Sequence, residues 1–417
     1  MREKDRAILA IDLKSFYASV ECVDRGLDPF TTPLVVCDRT RSENTIILAV
    51  SPYCKSLGIP SRLRLKDLPK VKGMIYAMPR MERYIRKSVE VLSIYLDYVD
   101  KSDMHVYSQD EAFLDVTDYL EAAGCDKLTY AKRIIRDVYK KTGLTVTAGI
   151  GTNLFMAKAC MDIEAKHKKD FIASWEEEDI PLHLWPVHPL SKMWGIGKRM
   201  EQRLNALGFQ TVGDIACADP FFLESEFGVI GREIYEHANG RDESRIQKPY
   251  AAESRSLGLG QVLMKDYTIE EARTVILESL NELIGRLRKN HVLAGMISLY
   301  IGYAESGGCG ASFPLMNPTR DKEVLEQALM QIVGRCYDGK SLIRNICLQA
   351  NELSDDRLLQ LSLFPEDNEE YQEEQKVSDV TERIRKCYGK ASVIPASALL
   401  KESTLLRRFS QIGGHRK

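Results

Sequence analysis

Continuous apolar runs alternate with helically spaced apolar residues over the first 170 positions of the chain. Residues 7–11 form an uninterrupted apolar run that ends at Asp12, which is the pattern of a strand buried on both faces. The same reasoning predicts further elements in mixed order, with strands at 105–108, 112–117 and 144–151 and helices at 81–98, 130–140 and 158–166. This order predicts an α+β fold class for this part of the chain.

The pattern breaks at residues 181–189, which contain three prolines and mark a domain boundary. Beyond it the predicted elements are short helices with glycine turns at 189–240, then a mixed segment at 250–353 with a long helix at 269–289 and a strand at 295–303. The acidic run 366–374 predicts a disordered linker, and an amphipathic helix at 377–388 follows it.

The composition is that of an ordinary globular protein with several domains, since 417 residues exceed what one compact core holds. The formal net charge of −2 gives no sign of nucleic-acid binding, so any basic surface must come from local segregation of charge. Residues 54–73 show such segregation, because they carry six lysines or arginines and a single acid, Asp67. We expect a small basic subdomain there.

The ten cysteines lie singly with no C-x-x-C pair, which predicts reduced thiols in a cytoplasmic protein. His183 and His188 are the closest histidine pair, but no third ligand stands at metal-binding spacing, so a structural role is favoured over zinc. The first residues, MREKDR and a short apolar run, predict neither a signal peptide nor a membrane span.

Three carboxylates lie where predicted strands end. Asp12 follows the first strand, and Asp110 and Glu111 lie between two strands. Mg²⁺ prefers oxygen ligands, and two such ions about 4 Å apart hold the attacking and leaving oxygens in nucleotidyl transfer. An isolated Asp-Glu pair is more often a polar hairpin turn, so the assignment depends on the surrounding sequence.

Three segments resemble the motifs of the Y-family DNA polymerases, in matching order and spacing. They are DLKSFYASVE at 12–21, SQDEAFLD at 108–115 (S-x-D-E-A-[FY]-L-D in the family) and GIGTN at 149–153, continuing to Ala157-Lys158. The resemblance covers residues 5–365 and is closer to the UmuC-like branch of Gram-positive bacteria than to archaeal or eukaryotic members. Many members have Asp or Asn at the position of Lys14.

The resemblance implies that Asp12, Asp110 and Glu111 are catalytic and bind two Mg²⁺ ions, with Glu111 on the catalytic ion. The main-chain carbonyl of Leu13 would complete the nucleotide-side ion. Tyr17 takes the position of the steric gate, an aromatic ring under the deoxyribose that would clash with a 2′-hydroxyl.

Further contacts with the dNTP are implied around this centre. The backbone N–H groups of Ser15, Phe16 and Tyr17 open a helix and could cradle the β,γ-phosphates. Lys55 matches a phosphate-binding cation of the fingers, and Lys166 best matches a second one.

The position of the fingers tyrosine is open between two residues. Alignment on Gly58 places Pro52 there, with Tyr53 one residue along. The alternative for Lys158, Lys168 and Lys169 is that they are charged side chains on a solvated helix face.

Two further segments suggest DNA binding. WGIGK at 194–198, before a predicted helix, resembles a helix-hairpin-helix in which Gly195, Gly197 and Lys198 approach a phosphate without reading sequence. ESRSLG at 253–258 resembles the first strand of the little-finger domain, where Arg255 would contact the DNA backbone.

Residues 360–364, QLSLF, resemble the peptide with which bacterial polymerases bind the sliding clamp. Leu363 and Phe364 would fill an apolar pocket and Gln360 would form a hydrogen bond beside it. The alternative is a last core strand, but Pro365 and the acidic run leave little chain to bury these side chains.

The resemblance implies a right-hand polymerase, with a palm at 1–22 and 78–172, small fingers at 23–77, a helical thumb at 173–242, an α+β little finger at 247–355 and a tail at 356–417. The expected function is low-fidelity translesion synthesis in DNA repair and the SOS response, by a monomer that binds primer-template DNA, dNTP and the sliding clamp; a UmuD-like accessory subunit stays open. The alternatives are a cyclase-like palm enzyme and a non-catalytic scaffold that binds DNA and clamp.

Overall fold

The computed structural model describes residues 6–248, 255–356 and 365–417. The chain divides into an amino-terminal unit, Met1–Tyr250 with His415–Lys417, and a carboxy-terminal unit, Ala251–Gly414. Each unit combines helices with β-sheet. Within these described ranges, no helix has the length and apolar character that a membrane crossing requires.

A five-stranded sheet forms the centre of the amino-terminal unit, in the order β5-β6-β1-β7-β8. Its strands are β1 (Ile8–Leu13), β5 (Met104–Val106), β6 (Glu111–Asp115), β7 (Val146–Gly151) and β8 (Ile172–Ser174). β1 pairs antiparallel with both β6 and β7, and five of its six residues are buried. The central position of β1 explains its uninterrupted apolar run.

Three helices accompany this sheet: α3 (Met81–Tyr95), α5 (Lys127–Thr142) and α6 (Leu154–Ile163). α6 packs on β1 and β7, α5 packs on β7, and α3 packs on α5. The approach of α6 to β7 is close, because a Cβ atom at Gly149 would lie 2.3 Å from the carbonyl oxygen of Ala157. This glycine lets α6 hold the next residue, Lys158, against the sheet.

A smaller sheet lies between these elements in the sequence, with the order β3-β2-β4. It comprises β2 (Leu34–Val36), β3 (Ala49–Val50) and β4 (Ile75–Ala77), near the short helices α1 (Phe16–Val23) and α2 (Pro52–Ser56). Its core is a small cluster of apolar residues that includes Val35, Ile47 and Ile59. The rest of the segment that the sequence predicts as fingers is therefore mostly surface.

The remainder of the amino-terminal unit forms short helices, which the sequence predicts, with glycine turns, for residues 189–240. Its elements are α4 (Leu120–Ala123), α7 (Lys198–Ala206), α8 (Val212–Ala216), α9 (Pro220–Phe227) and α10 (Val229–Ala238). A core cluster that includes Trp175, Leu204 and Leu223 packs α7, α8, α9 and α10 together with α6.

The carboxy-terminal unit contains a four-stranded antiparallel sheet in the order β11-β10-β12-β9. Its elements are β9 (Leu257–Tyr267), α11 (Ile269–Lys289), β10 (Val292–Tyr303), β11 (Gly308–Thr319), α12 (Lys322–Cys336) and β12 (Ile343–Asp355). α11 and α12 pack on the sheet and bury an apolar core. The helix predicted at 269–289 is confirmed, and a capping box between Thr268 and Glu271 defines its start.

The end of the chain departs from one prediction. Helix α13 (Pro365–Tyr388) includes the acidic run that predicts a disordered linker, so that prediction is wrong. Proline in the first turn and acidic residues near the helix amino terminus both favour this start. The last elements are α14 (Leu405–Phe409), β13 (Gln411–Ile412) and β14 (His415–Arg416).

Candidate active site

Two of the predicted carboxylates lie side by side on the central sheet. Asp12 on β1 is directly opposite Glu111 on β6, and directly opposed residues of antiparallel strands have Cβ atoms about 5 Å apart. The carbonyl oxygen of Asp110 accepts a 2.8 Å hydrogen bond from the backbone N–H of Leu13, and its carboxylate accepts one from the Ser108 hydroxyl. The sheet register thus brings together Asp12 and Glu111, which are 99 positions apart in the sequence.

Two lysines form ion pairs with these carboxylates. Lys158 Nζ lies 2.5 Å from Glu111 Oε1, and Lys166 Nζ lies 2.8 Å from Asp12 Oδ2. Both lysines also contact Asp162, at 3.1 Å and 2.8 Å respectively. The result is a chain of alternating charges along one edge of the site.

Burial has the largest effect on the pKa of two carboxyl groups of this site. It raises the pKa of Asp12 and of Glu111 above the usual range, although Lys166 and Lys158 oppose the shift. The carboxylates of Asp12 and Asp162 in turn raise the pKa of Lys166, so this lysine stays charged. In the described part of the chain, no three His, Cys, Asp or Glu side chains converge as a ready-made metal cluster.

Tyr17 lies in the first turn of α1 at the side of the carboxylates. Its hydroxyl donates a 2.6 Å hydrogen bond to Gln109 Oε1 in the hairpin before Asp110. Its ring stacks on Tyr84 of α3 and is half-buried, whereas Phe16 is buried in the core. A ligand could therefore contact the ring of Tyr17 but not that of Phe16.

Ser15 precedes α1 in a left-handed backbone conformation, with φ of 50°. Its hydroxyl is buried and has no hydrogen-bond partner among the described residues, although it stands at the amino-terminal cap of the helix. A buried hydroxyl without a partner costs free energy unless a ligand satisfies it. This geometry suits a bound anion beside the backbone N–H groups that open α1.

The remaining predicted nucleotide contacts lie on α2 and after α6. Lys55 lies on α2 and is exposed as a whole residue, but partial desolvation of its ammonium lowers its pKa, and the nearby Lys166 adds to the effect. Tyr53 is half-buried and Pro52 is buried, so only Tyr53 presents side-chain surface. Lys166 lies in a short 3₁₀ turn, Ala165–His167, beyond the end of α6.

The predicted DNA-binding loop is exposed where its glycines stand. Gly195 has φ of 92°, Gly197 caps α7, and both are exposed with Lys198, whereas Ile196 between them is buried. Trp194 donates a 3.3 Å hydrogen bond to the hydroxyl of Tyr107, next to Ser108. In the carboxy-terminal unit Arg255 is exposed ahead of β9. The predicted clamp residues Gln360, Leu363 and Phe364 lie outside the described residues.

Three residues of the site are absent from the sequence-based assignment. Lys158 is not a solvated helix charge, because only 6% of it is exposed beside Glu111. Asp162 links it to Lys166, and Gln109 contacts Tyr17. The spacing of four residues from Lys158 to Asp162 and again to Lys166 was the available signal.

The model of the impB/mucB/samB family matches residues 11–162, its C-terminal domain matches 254–363, and the IMS family HHH motif matches 177–209. The chain is 37% identical to "Putative UV-damage repair protein UvrX" of Bacillus subtilis, over 98% of this chain and 97% of that protein. It is 29% identical to "DNA polymerase IV 2" of the same organism, over 99% and 100%.

Among solved structures, the chain is similar to a Y-family DNA polymerase chimera of Dbh and Dpo4. The TM-score is 0.66 at 20% sequence identity, and the match covers 83% of this chain and 99% of that chain. At this identity the likeness concerns the fold, and it confirms the predicted α+β class.

Proposed function

The chain belongs to the Y-family DNA polymerases, the impB/mucB/samB family, and we propose that it extends DNA primers with an active site built on Asp12, Asp110 and Glu111. Its family makes it a DNA-directed DNA polymerase of the translesion kind, acting in the repair of damaged DNA. The observation that carries the site is the register of β1 and β6, which places Asp12 directly opposite Glu111.

Y-family polymerases depend on divalent metal ions, and the donors of this site fit them. Carboxylate and carbonyl oxygens are hard ligands that suit Mg²⁺ and share it with phosphates. We propose that Asp12, Asp110, Glu111 and the main-chain carbonyl of Leu13 hold two Mg²⁺ ions. When bound, such ions neutralise charge on the reacting phosphate and align the attacking and leaving oxygens.

The rest of the site would position the two substrates. The reaction joins the primer 3′-oxygen to the α-phosphorus of a dNTP and releases pyrophosphate. The backbone N–H groups of Ser15, Phe16 and Tyr17 would bind the β,γ-phosphates together with the Ser15 hydroxyl, which has no partner among the described residues, and Lys55 and Lys166 supply positive charge. Tyr53 on α2 is the aromatic candidate for a contact with the incoming nucleotide.

We propose that Tyr17 is the steric gate against ribonucleotides. Its ring has exposed surface and is held in place from two sides, by Tyr84 and by Gln109. A ring that cannot move aside excludes a 2′-hydroxyl by van der Waals contact. Phe16 contributes its backbone only, since its side chain is buried.

Contacts beyond the active site are also proposals. The exposed Gly195, Gly197 and Lys198 offer backbone N–H groups and one charge to a DNA phosphate, and Arg255 offers another charge. Residues 360–364 support binding to the bacterial sliding clamp by sequence resemblance alone. A cytoplasmic location, a monomeric state and a role in the SOS response rest on the same resemblance, and a UmuD-like subunit has no structural support.

Primer extension tests the proposal. Labelled primer-template DNA is incubated with dNTPs and Mg²⁺, with wild type and Asp110→Ala compared at equal DNA occupancy. We expect short, error-prone extension by wild type and none by the variant. DNA binding by both proteins without extension by either would instead support a non-catalytic scaffold, and conversion of the free nucleotide without extension of the primer would support a cyclase-like enzyme.

A further inference from the structure

Lys14 occupies a position where many Y-family members have Asp or Asn. It lies two residues after Asp12, where β1 ends, and its backbone N–H donates to the carbonyl of Thr145. Its side chain is half-buried: the ammonium lies 4.1 Å from the centre of the Phe171 ring and 3.5 Å from the carbonyl oxygen of Lys166. Both contacts point the charge toward the segment that carries Lys166.

The setting of this ammonium is held firmly. The Phe171 ring under Lys14 is itself stacked on Phe30, with ring centroids 5.8 Å apart. The carbonyl of Lys14 accepts a 2.6 Å hydrogen bond from the Ser19 hydroxyl, which ties its backbone to α1. The side chain is therefore packed against two stacked aromatic rings.

Lys14 is one of three lysines that converge next to Asp12. Lys55 and Lys166 both act electrostatically on it, and their repulsion adds to burial in lowering the pKa of Lys14. Lys166 has carboxylate partners, Asp12 and Asp162, whereas Lys14 and Lys55 have none within ion-pair distance in the described part of the chain. Asp12 attracts Lys14 and Lys55 but is ion-paired with Lys166, and the repulsion among the three ammonium groups favours an anion bound between them.

A second observation favours an anion at the same point. The next residue, Ser15, has a buried hydroxyl that finds no partner among the residues the structure describes, and it begins the turn whose N–H groups open α1. The Lys14 ammonium, the Ser15 hydroxyl and the N–H groups at the start of α1 therefore come from consecutive positions of the chain. A phosphate is the anion that uses all three kinds of donor.

We propose that Lys14 is a third cation of the triphosphate site, acting with Lys55 and Lys166 on the β,γ-phosphates and on the pyrophosphate product. This inference rests on the proposed polymerase function. It distinguishes this chain from relatives with Asp or Asn at the position, because an amide or carboxylate there supplies no positive charge.

The test compares Lys14→Asn with Lys14→Arg and with Lys169→Asn. Lys169 is an exposed lysine on the segment that follows α6, so its variant controls for the loss of one charge. We expect Lys14→Asn to raise the KM for dNTP about tenfold, equivalent to about 1.4 kcal/mol, while kcat changes little. The inhibition constant of inorganic pyrophosphate should rise in parallel, whereas Lys14→Arg and Lys169→Asn should stay within about threefold of wild type.

Two results would overturn the proposal. One is an unchanged dNTP KM and an unchanged pyrophosphate inhibition constant in Lys14→Asn. The other is a rise in the KM for dNTP in Lys14→Asn that is absent in Lys14→Met, because methionine keeps an apolar side chain over Phe171 without the charge, and this result would assign Lys14 to packing on Phe171. If wild type fails to extend any primer, the polymerase proposal fails first, and calorimetric binding of Mg²⁺-pyrophosphate to the same proteins still decides the role of Lys14.

Discussion

The rings of Tyr17 and Tyr84 stack face to face, with centroids 4.5 Å apart and an interplanar angle of 15°. Tyr84 is fully buried, and its hydroxyl donates a 2.8 Å hydrogen bond to Glu21, whose side chain is also inaccessible to solvent. Arg80 donates to the same oxygen of Glu21. The position of the proposed gate is thus fixed by a buried polar network behind it.

Replacing Tyr17 should remove discrimination against ribonucleotides. In Tyr17→Ala no ring remains to meet the 2′-hydroxyl, so we expect the rNTP/dNTP ratio of kcat/KM to rise at least about tenfold, or about 1.4 kcal/mol. Single-nucleotide insertion kinetics with matched dNTP and rNTP give this ratio. Tyr17→Phe is the control, since it keeps the ring and loses only the hydrogen bond to Gln109. An unchanged ratio in Tyr17→Ala would remove the residue from the gate.

Tyr84 should affect the gate only through Tyr17. Tyr84→Ala leaves a cavity under the Tyr17 ring, so the free energy of unfolding should fall by about 3–5 kcal/mol and ribonucleotide discrimination should weaken. Tyr84→Phe keeps the stacking and removes one donor to Glu21, and we expect a loss of about 1–2 kcal/mol with discrimination retained. Urea unfolding and insertion kinetics measure the two effects. Equal discrimination in both variants would show that the stacking does not position Tyr17.

On the acid side of the pH–rate profile, activity should rise at a higher pH than it would if carboxyl groups with ordinary pKa values controlled it. Burial raises the pKa of Asp12 and Glu111 above the usual values of 3.8 and 4.5. Because a carboxyl must lose its proton to bind a metal ion, activity should rise with pH through these raised values. Single-turnover rates at low and high Mg²⁺ test this, and the acid side of the profile should move to lower pH at high Mg²⁺. If the acid side of the profile does not change with the Mg²⁺ concentration, the titrating group is not a metal-binding carboxyl such as Asp12 or Glu111.

The sequence predicts much of the site because strand ends and motifs are local signals. The apolar run before Asp12 predicts β1, and the turn with Asp110 and Glu111 predicts the adjacent hairpin. Their pairing is a long-range property, since 98 residues separate Asp12 from Asp110, and only the resemblance to a known family supplied it. The α+β fold class follows from the same local patterns and is confirmed.

The contacts behind the site could not be predicted in this way. Lys158 is a common helical lysine in sequence, and its burial depends on how closely α6 approaches the glycines of β7. Tyr84 lies on an amphipathic helix where an apolar core role is the simplest prediction. The wrong prediction at residues 366–374 has a different cause, since charge alone does not exclude a helix that begins at a proline.

The ion pair between Lys158 and Glu111 should be essential for the stability of the site. Both side chains are less than one-tenth exposed, and removal of one member of a buried pair leaves an uncompensated charge, at a cost of about 3–5 kcal/mol. Lys158→Met should therefore lower the free energy of unfolding by about this amount at pH 7 in the absence of metal, and Mg²⁺ should restore part of it.

Lys168→Met provides the matched control, because the Lys168 side chain is 47% exposed and its pair with Glu164 lies at the surface, where such pairs contribute about 1 kcal/mol or less. The double variant Lys158→Met/Glu111→Gln separates charge from packing. It removes the unpaired carboxylate and should recover stability relative to Lys158→Met alone, although it loses a proposed metal ligand and therefore activity. A double variant as unstable as Lys158→Met would show that Lys158 stabilises the site through its packing between α6 and β7 and not through its charge.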